Sequence, residues 1–399
     1  MSKRYSGTTV RDTFARMADG MTSFDEMAAG VPHSLIDLKS VYPISRLRDR
    51  ISTTGAASVT QAEGRYAVTV ESDGGAQAEF TSVERARYVA GYDGIPGMAI
   101  NLDRLPVGNQ VVEWGNTDFV NGFIVGVDSA GMFTRLYSGG EAVSTKRIEY
   151  WRYPHNTANL DPRDVHVYRM PYRWYAAGPY RLSVDFIDPS GRATMLPLDV
   201  MESSDLSRPV TEDPNQPINV RVTNNGTAEP ITAYVMGRQY LIMGGYNPSQ
   251  RIVGDFRVNQ SIDTDFVPLI SFRQKGGQFR SISTRLSGVG LIAGDDVLWE
   301  VRALSDVEGG TWEAPRFTDD GGESAMEVNL SPTAVTGGLQ MFVGDPVPGE
   351  QGNFSGALSR DMPDLELPSD DIERNIVLCA RSISGTTSVT SVFRIKEEW

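Results

Sequence analysis

His33, His155 and His166 are the three histidines of the chain, and their scatter limits its chemistry first. A catalytic zinc or a serine–histidine relay needs imidazoles gathered with carboxylates or hydroxyls. Three separated imidazoles supply neither pattern. His155 and His166 flank Asp161 and Asp164, so a divalent-cation loop is one reading and an ordinary turn the other. No GxSxG elbow, P-loop, dinucleotide fingerprint or HExxH occurs. Glycoside hydrolysis needs two facing carboxylates at a set separation. Glu113, Asp118 and Asp128 stand near the densest aromatic stretch, but an acidic chain offers such pairs by chance. The residues therefore argue against an enzyme. No catalytic residue, metal ligand or cofactor is assigned.

Binding chemistry is better represented. Trp114, Phe119, Phe123, Phe133, Tyr137, Tyr150, Trp151, Tyr153, Tyr172, Trp174 and Tyr175 crowd between Glu113 and Phe186. Aromatic rings stack on sugar faces while Asp, Asn and Arg bond the hydroxyls. Trp151, Tyr153, Trp174 and Tyr175 fit that use if they point outwards. The alternative puts them in a sandwich core or a subunit interface, with Trp174 as core and Tyr153 as rim. Trp312 and Trp399 lie in polar segments, and Trp399, after Lys396-Glu397-Glu398, suits an anchor into a neighbouring subunit. These side chains are the candidate glycan or interface contacts.

Positioning them requires strands. Asn121-Gly122 and Ser129-Ala130-Gly131 break short apolar runs as hairpin turns do. Tyr66, Val68 and Val70 alternate with Ala67, Thr69 and Glu71, and Leu182, Val184 and Phe186 alternate with Ser183 and Asp185. Gly 40 and Pro 22 in 399 residues point the same way, to an all-β protein rich in turns. The spacing of Val10, Phe14, Met17 and Met21 predicts a short amphipathic helix. Ser23-Phe24-Asp25-Glu26 then caps a second that ends at Gly30. The reading is tandem β-sandwich domains behind a helical docking segment. Residues 1–50 form that segment, 51–205 the first sandwich, and 206–399 a second β-sandwich domain with long exposed loops. The polar stretch ESSDLSRPVTEDPNQP is the linker, and Asn224-Asn225-Gly226 is a hairpin turn.

The net charge of −14 excludes a surface built for nucleic acid, which needs clustered positive charge. Lysine stands only at 3, 39, 146, 275 and 396, leaving arginine for the other 32 of 37 basic residues. An acidic, lysine-poor chain fits either a salt-adapted (halophilic) source or a GC-rich genome. No apolar run reaches the ~20 residues of a membrane span, and the first residues lack a signal-peptide core. A soluble protein without membrane insertion is expected. Cys379, in NIVLCAR, is the single cysteine and reads as a buried strand residue.

Several phrases resemble a group of virion proteins of tailed viruses of bacteria and archaea. They are ARYVAGYDG from Ala86, NGFIVGVDSAGMFTRLYSGG from Asn121, EYWRYPHNTANLDPRD from Glu149 and YRMPYRWYAAGPYRLSVDFID from Tyr168. PINVRVTNNGT and FVPLISFRQK are similar to that group's second domain. The likeness covers about residues 50–300, and WRYPHNTANLD is bulkier than the group's usual short turn. It implies a structural protein of the virion, a head spike, turret or tail fibre whose sandwiches are jelly-roll or concanavalin-like, with 51–205 lectin-like, and a part in host attachment. Implied partners are copies of itself, as a pentamer or trimer, other virion proteins (capsid, portal, neck or tail) and a host-surface glycan. A carbohydrate-active enzyme is the remaining alternative.

Overall fold

In the computed structural model the described residues are 32–72, 74–158, 160–173, 178–187, 193–202, 210–244, 246–247, 249–279, 282–316, 324–344, 352–355 and 375–398. The expected helices carrying Val10, Phe14, Met17 and Met21 lie outside them, as do Trp174, Tyr175 and Trp399. What is described is antiparallel β-structure in two compact units, one ending at Asn247 and the next starting at Pro248. Tandem sandwiches are what the alternating strands call for.

The first unit runs through β1 (Pro32–Lys39), β2 (Asp49–Thr54), β3 (Ala57–Ala62), β4 (Arg65–Val70), β5 (Gly74–Arg85), β6 (Gly94–Leu102), β7 (Gln110–Thr117) and β8 (Gly122–Asp128). It continues through β9 (Gly131–Ser138), β10 (Glu141–Arg147), β11 (His166–Arg169), β12 (Tyr180–Ile187), β13 (Ala193–Met201), β14 (Pro217–Asn225) and β15 (Ile231–Met243). One sheet has the order β13-β12-β11-β6-β15-β4-β3, with β1 also on β15, and the other β10-β9-β8-β7-β14-β5-β2. The two-residue period sends Tyr66, Val68 and Val70 of β4, and Val112 and Trp114 of β7, into one shared core. Rings meet across it: Trp114 and Tyr168 at 5.1 Å, Tyr66 and Phe80 at 4.9 Å, and Phe123 and Tyr180 at 5.5 Å between centroids. Such pairs add roughly 0.5–1.5 kcal/mol each beyond burial.

Two expected boundaries move. Residues 32–50 are not part of a helical segment: Ile36 and Leu38 are buried, and β1 pairs with β15. The first sandwich also extends beyond residue 205, because β14 lies between β7 and β5 and β15 pairs with β6, β4 and β1. Asn224-Asn225-Gly226 is accordingly no hairpin turn but a corner between the two sheets. Ile218, Val220 and Val222 on one strand, and Ile231, Ala233 and Val235 on the next, join the same core from opposite sides. Asn224 fixes the corner by donating from Nδ2 to the carbonyls of Glu71 at 2.7 Å and Thr227 at 2.9 Å.

The second unit contains β16 (Gln250–Ile262), β17 (Val267–Gln274), β18 (Ser283–Ala293), β19 (Val297–Glu308), β20 (Met326–Asn329), β21 (Ala334–Gly344), β22 (Gly352–Ser355), β23 (Asn375–Ser382) and β24 (Thr387–Glu398). Their sheets are β16-β24-β18-β22 and β20-β17-β23-β19-β21. Val297, Trp299 and Val301 face inward as their alternation requires, and Phe272 meets Phe393 across the core at 5.5 Å. Within the stretches between the longer strands, β20 and β22 are short strands of four residues each. Cys379 is buried in β23, where desolvation pushes its thiol up to about 12.

Candidate functional site

The outer face of the sheet built on β7, β8 and β14 carries the densest polar chemistry of the first unit. Because Val112 and Trp114 point inward, Glu113 and Gly115 point outward. The same parity brings Ile124 and Gly126 of β8, Phe133, Arg135 and Tyr137 of β9, and Arg221 of β14 onto this face. Strand register aligns one row as Ser52, Glu79, Arg221, Glu113, Gly126, Phe133 and Arg147. The adjacent row is Arg50, Thr81, Asn219, Gly115, Ile124, Arg135 and Thr145.

Glu113 is the centre of that surface. It is 3% exposed although it lies on the outer side of the sheet. Arg135 Nη1 donates to its Oε1 at 2.8 Å, while Arg221 donates to Oε2 from Nε at 3.1 Å and from Nη2 at 2.5 Å. Such charge-assisted bonds are shorter and stronger than neutral ones. Tyr137 accepts from Arg135 at 3.1 Å. Phe133 lies flat over Gly126, where an added Cβ would come within 2.2 Å of the ring, and Arg135 and Arg147 sit over that ring at 4.7 and 5.1 Å. Arg147 grips both oxygens of Asp128 at 2.6 and 2.7 Å. Burial pushes the Asp128 carboxyl up, but the Arg147 bond and the Ala130 N–H together leave it below its ordinary value.

Phe119 completes the surface through an unusual backbone. Its φ is +60°, a left-handed conformation that costs a bulky residue energy and needs outside support. The support is dense. Phe119 N donates to Thr117 Oγ1 at 2.8 Å, Thr117 Oγ1 to the Asn121 carbonyl at 2.7 Å, and Asn121 N to Asp118 Oδ1 at 2.7 Å. Buried Arg85 ties Asp118 at 3.1 Å to Asp213 at 3.4 Å. Asn121 Oδ1 accepts from Glu212 N at 3.0 Å and Gly139 N at 3.2 Å. So held, the Phe119 ring lies 3.4 Å from the Arg221 guanidinium and meets Tyr137 edge-on at 6.1 Å.

The residues singled out from the sequence are not gathered in this way. Trp151 takes the core alternative: it is 2% exposed and donates to the Lys146 carbonyl at 3.2 Å, which removes it as a surface contact. Tyr153 is half-buried, on the rim, edge-on to His155 at 6.4 Å. Trp312 is half-buried in the second unit beneath the Arg273 guanidinium at 4.5 Å. His166 Nε2 lies 3.0 Å from the Asp161 carbonyl rather than from a carboxylate. Arg163 occupies the Asp161 carboxyl and, with its own N–H, holds it down at about 2. His155, His166, Asp161 and Asp164 thus form no metal-ligand cluster among the described residues.

The Arg135, Arg221 and Phe119 surface was not singled out from the sequence, yet a signal was present. Phe133, Arg135 and Tyr137 follow at every second residue, so they share one face of a strand. What arranges them with Arg221 is register across β7 and β8, which no local pattern encodes.

No family model and no curated protein matches this chain. Among solved structures, an endo-1,3-beta-glucanase from Streptomyces sioyaensis aligns over 54% of this chain and 98% of its own, at 12% identity and a TM-score of 0.38. Arcelin-5, a lectin-like defense protein from Phaseolus vulgaris, aligns over 54% and 99%, at 8% identity and a TM-score of 0.35. A legume lectin-like domain from Entamoeba histolytica aligns over 51% and 95%, at 10% identity and a TM-score of 0.33. Similarity at this level assigns neither activity nor ligand. What stands on the chain's own geometry is an all-β tandem sandwich whose first unit presents a pinned arginine–aromatic face.

Proposed function

We propose that this chain is a non-enzymatic structural protein of a tailed-virus particle. In this reading it forms part of a symmetric spike or turret on the head and meets host-envelope glycan through the outer face around Glu113. The observation that carries the non-enzymatic part is the pairing of Glu113 with both Arg135 and Arg221. A glycosidase needs one carboxyl protonated and another free to attack or to activate water. Here both oxygens of the central carboxylate are engaged by guanidiniums, and an arginine stands between it and Glu79 in the same row. Rings pinned beside guanidinium donors suit adhesion to a sugar chain. The virion assignment is supported by the phrases at Ala86, Asn121, Glu149 and Tyr168. In the structure those around Asn121 form the β8–β9 hairpin and the turn that holds Phe119.

The test is location and stoichiometry. Antibody labelling of whole particles is expected to decorate the head, and native mass measurement to give a closed ring, as symmetric virion components require. Label on the tail with a trimeric mass would replace the spike by a receptor-binding fibre. A monomer absent from particles would overturn the proposal.

A further inference from the structure

We infer that the face around Glu113 selects anionic saccharides whose charge is carried by carboxylates. The inference rests on the glycan-contact reading above and adds the class of sugar.

The first ground is local charge. The chain carries −14 overall, yet the two aligned rows hold Arg50, Arg135, Arg147 and Arg221 against Glu79 and Glu113. Adding Asp128, which Arg147 grips, and Glu149, whose charge also acts on Arg147, the balance is four cations to four anions. The face is locally neutral on an acidic protein, and long-range repulsion from the rest of the surface is screened beyond ~10 Å at ordinary ionic strength.

The second ground is which polar atoms are already used. The carboxylates within the face are engaged: Glu113 by Arg135 and Arg221, Asp128 by Arg147 and Ala130 N, and Glu79 by Asn219 and Thr81. The guanidiniums are not exhausted. Arg135 uses Nε on Thr145 and Nη1 on Glu113 and Tyr137, which leaves Nη2 without a partner among the described residues. Arg221 uses Nε and Nη2 and leaves Nη1; Arg147 uses Nη1 and Nη2 and leaves Nε. Arg50, half-buried at the end of its row, has no side-chain partner among the described residues. Charged donors remain open where charged acceptors are spent, so the complementary ligand brings acceptors of its own. A neutral sugar's hydroxyls do not exploit that surplus. A carboxylate does, because guanidinium N–H groups match its planar pair of oxygens.

The third ground is pre-organisation. Arg135 and Arg221 are braced from either side of one carboxylate, and Phe119 holds Arg221 from above at 3.4 Å. Little side-chain freedom is left to lose on binding. The Phe119 and Tyr137 rings flank these donors and offer apolar surface to a sugar ring.

The test is equilibrium binding of the full chain to four polymers of matched length: polygalacturonate, the same polymer after carboxyl reduction, dextran sulfate and dextran. Polygalacturonate is expected to bind, with affinity falling as salt rises, and the reduced polymer and dextran to bind at least ~10-fold more weakly. Arg221→Gln and Arg135→Gln are each expected to lose ~10-fold or more, the scale of one charge-assisted bond. Arg50→Gln is the fold-preserving variant, since that side chain bonds nothing described, and it too is expected to weaken polygalacturonate binding. Arg163→Gln, on a separate loop, is the control expected to bind like the parent. Equal binding of the reduced and parent polymers would overturn carboxylate selection and leave glycan contact standing. Tighter binding of dextran sulfate would overturn the choice of carboxylate over sulfate. Binding unchanged in all three face variants would place the site elsewhere. Failure to bind any polymer would remove the glycan-contact reading together with this one.

Discussion

Replacing Asp49 by alanine removes the partner of the most deeply buried cation described in the first sandwich. Arg238, on β15 of one sheet, is 0% exposed in its side chain, and Asp49, on β2 of the other, is 1% exposed. Arg238 Nη2 donates to Asp49 Oδ1, and its guanidinium lies 4.0 Å from the Phe80 ring. Nε and Nη1 have no hydrogen-bond partner among the described residues, so the charge depends on Asp49 and on the rings of Phe80 and Tyr66. Removing one member of a buried pair typically costs ~3–5 kcal/mol, because the other charge is left uncompensated. For a unit of this size each kcal/mol shifts Tm by about 2–4 °C, so Asp49→Ala is expected to lower the first unit's Tm by about 6–20 °C. Arg238→Met is expected to cost less, since Asp49 Oδ2 keeps the Ser45 N–H at 3.0 Å and Arg48 at 3.9 Å. The Asp49→Ala, Arg238→Met double variant removes both charges and is expected to recover ~2 kcal/mol relative to Asp49→Ala. Calorimetry, with hydrogen exchange at β7 to assign the transition to the first unit, measures all three. A cost under ~1 kcal/mol for Asp49→Ala, or penalties that simply add, would refute the reasoning.

Gly126→Ala is expected to destabilise the first unit by ~1–3 kcal/mol in urea unfolding, since its Cβ would displace Phe133 from under Arg135 and Arg147. Cys379, buried and with its thiol pushed up to about 12, is expected to resist a thiol-reactive dye until denaturant opens the second unit; rapid native labelling would contradict its place in the core. Asp128 carries a depressed carboxyl, so its pairing with Arg147 contributes stability above the unfolded value of 3.8 and loses it as pH falls through the lower folded value. Melting from pH 5 to pH 2 is therefore expected to fall less steeply for Asp128→Asn than for the parent, and parallel curves would exclude that contribution.

Most strands were legible because their burial is one-sided. Tyr66, Val68 and Val70, or Leu182 and Val184, alternate as half-buried strands must. Asn121-Gly122 and Ser129-Ala130-Gly131 marked hairpins correctly, since Gly122 and Gly131 adopt φ of +114° and +113°. The corner at Asn224-Asn225-Gly226 used the same turn chemistry for another purpose. A turn motif specifies where the chain reverses, not whether the next strand pairs alongside or crosses to the opposite sheet. That ambiguity moved the unit boundary from residue 205 to Asn247. Trp151 was ambiguous for a related reason. Its neighbours Arg152 and Tyr153 are polar or amphipathic, and only packing against the shared core separates it from a rim aromatic. The face around Glu113 depends on residues more than 100 positions apart, Glu113 and Arg221, so it becomes visible only with the sheet order.

The proposed function requires that this face hold glycan without cutting it. One incubation with host-envelope polysaccharide, measuring bound polymer and newly formed reducing ends together, tests it most directly. Saturable binding is expected, lost in an Arg135→Gln, Arg221→Gln double variant, with reducing ends at the level of the protein-free control. Reducing ends that accumulate with the parent and vanish with Glu113→Gln would contradict it, and would make Glu113 a catalytic carboxylate instead of the anchor of a binding surface.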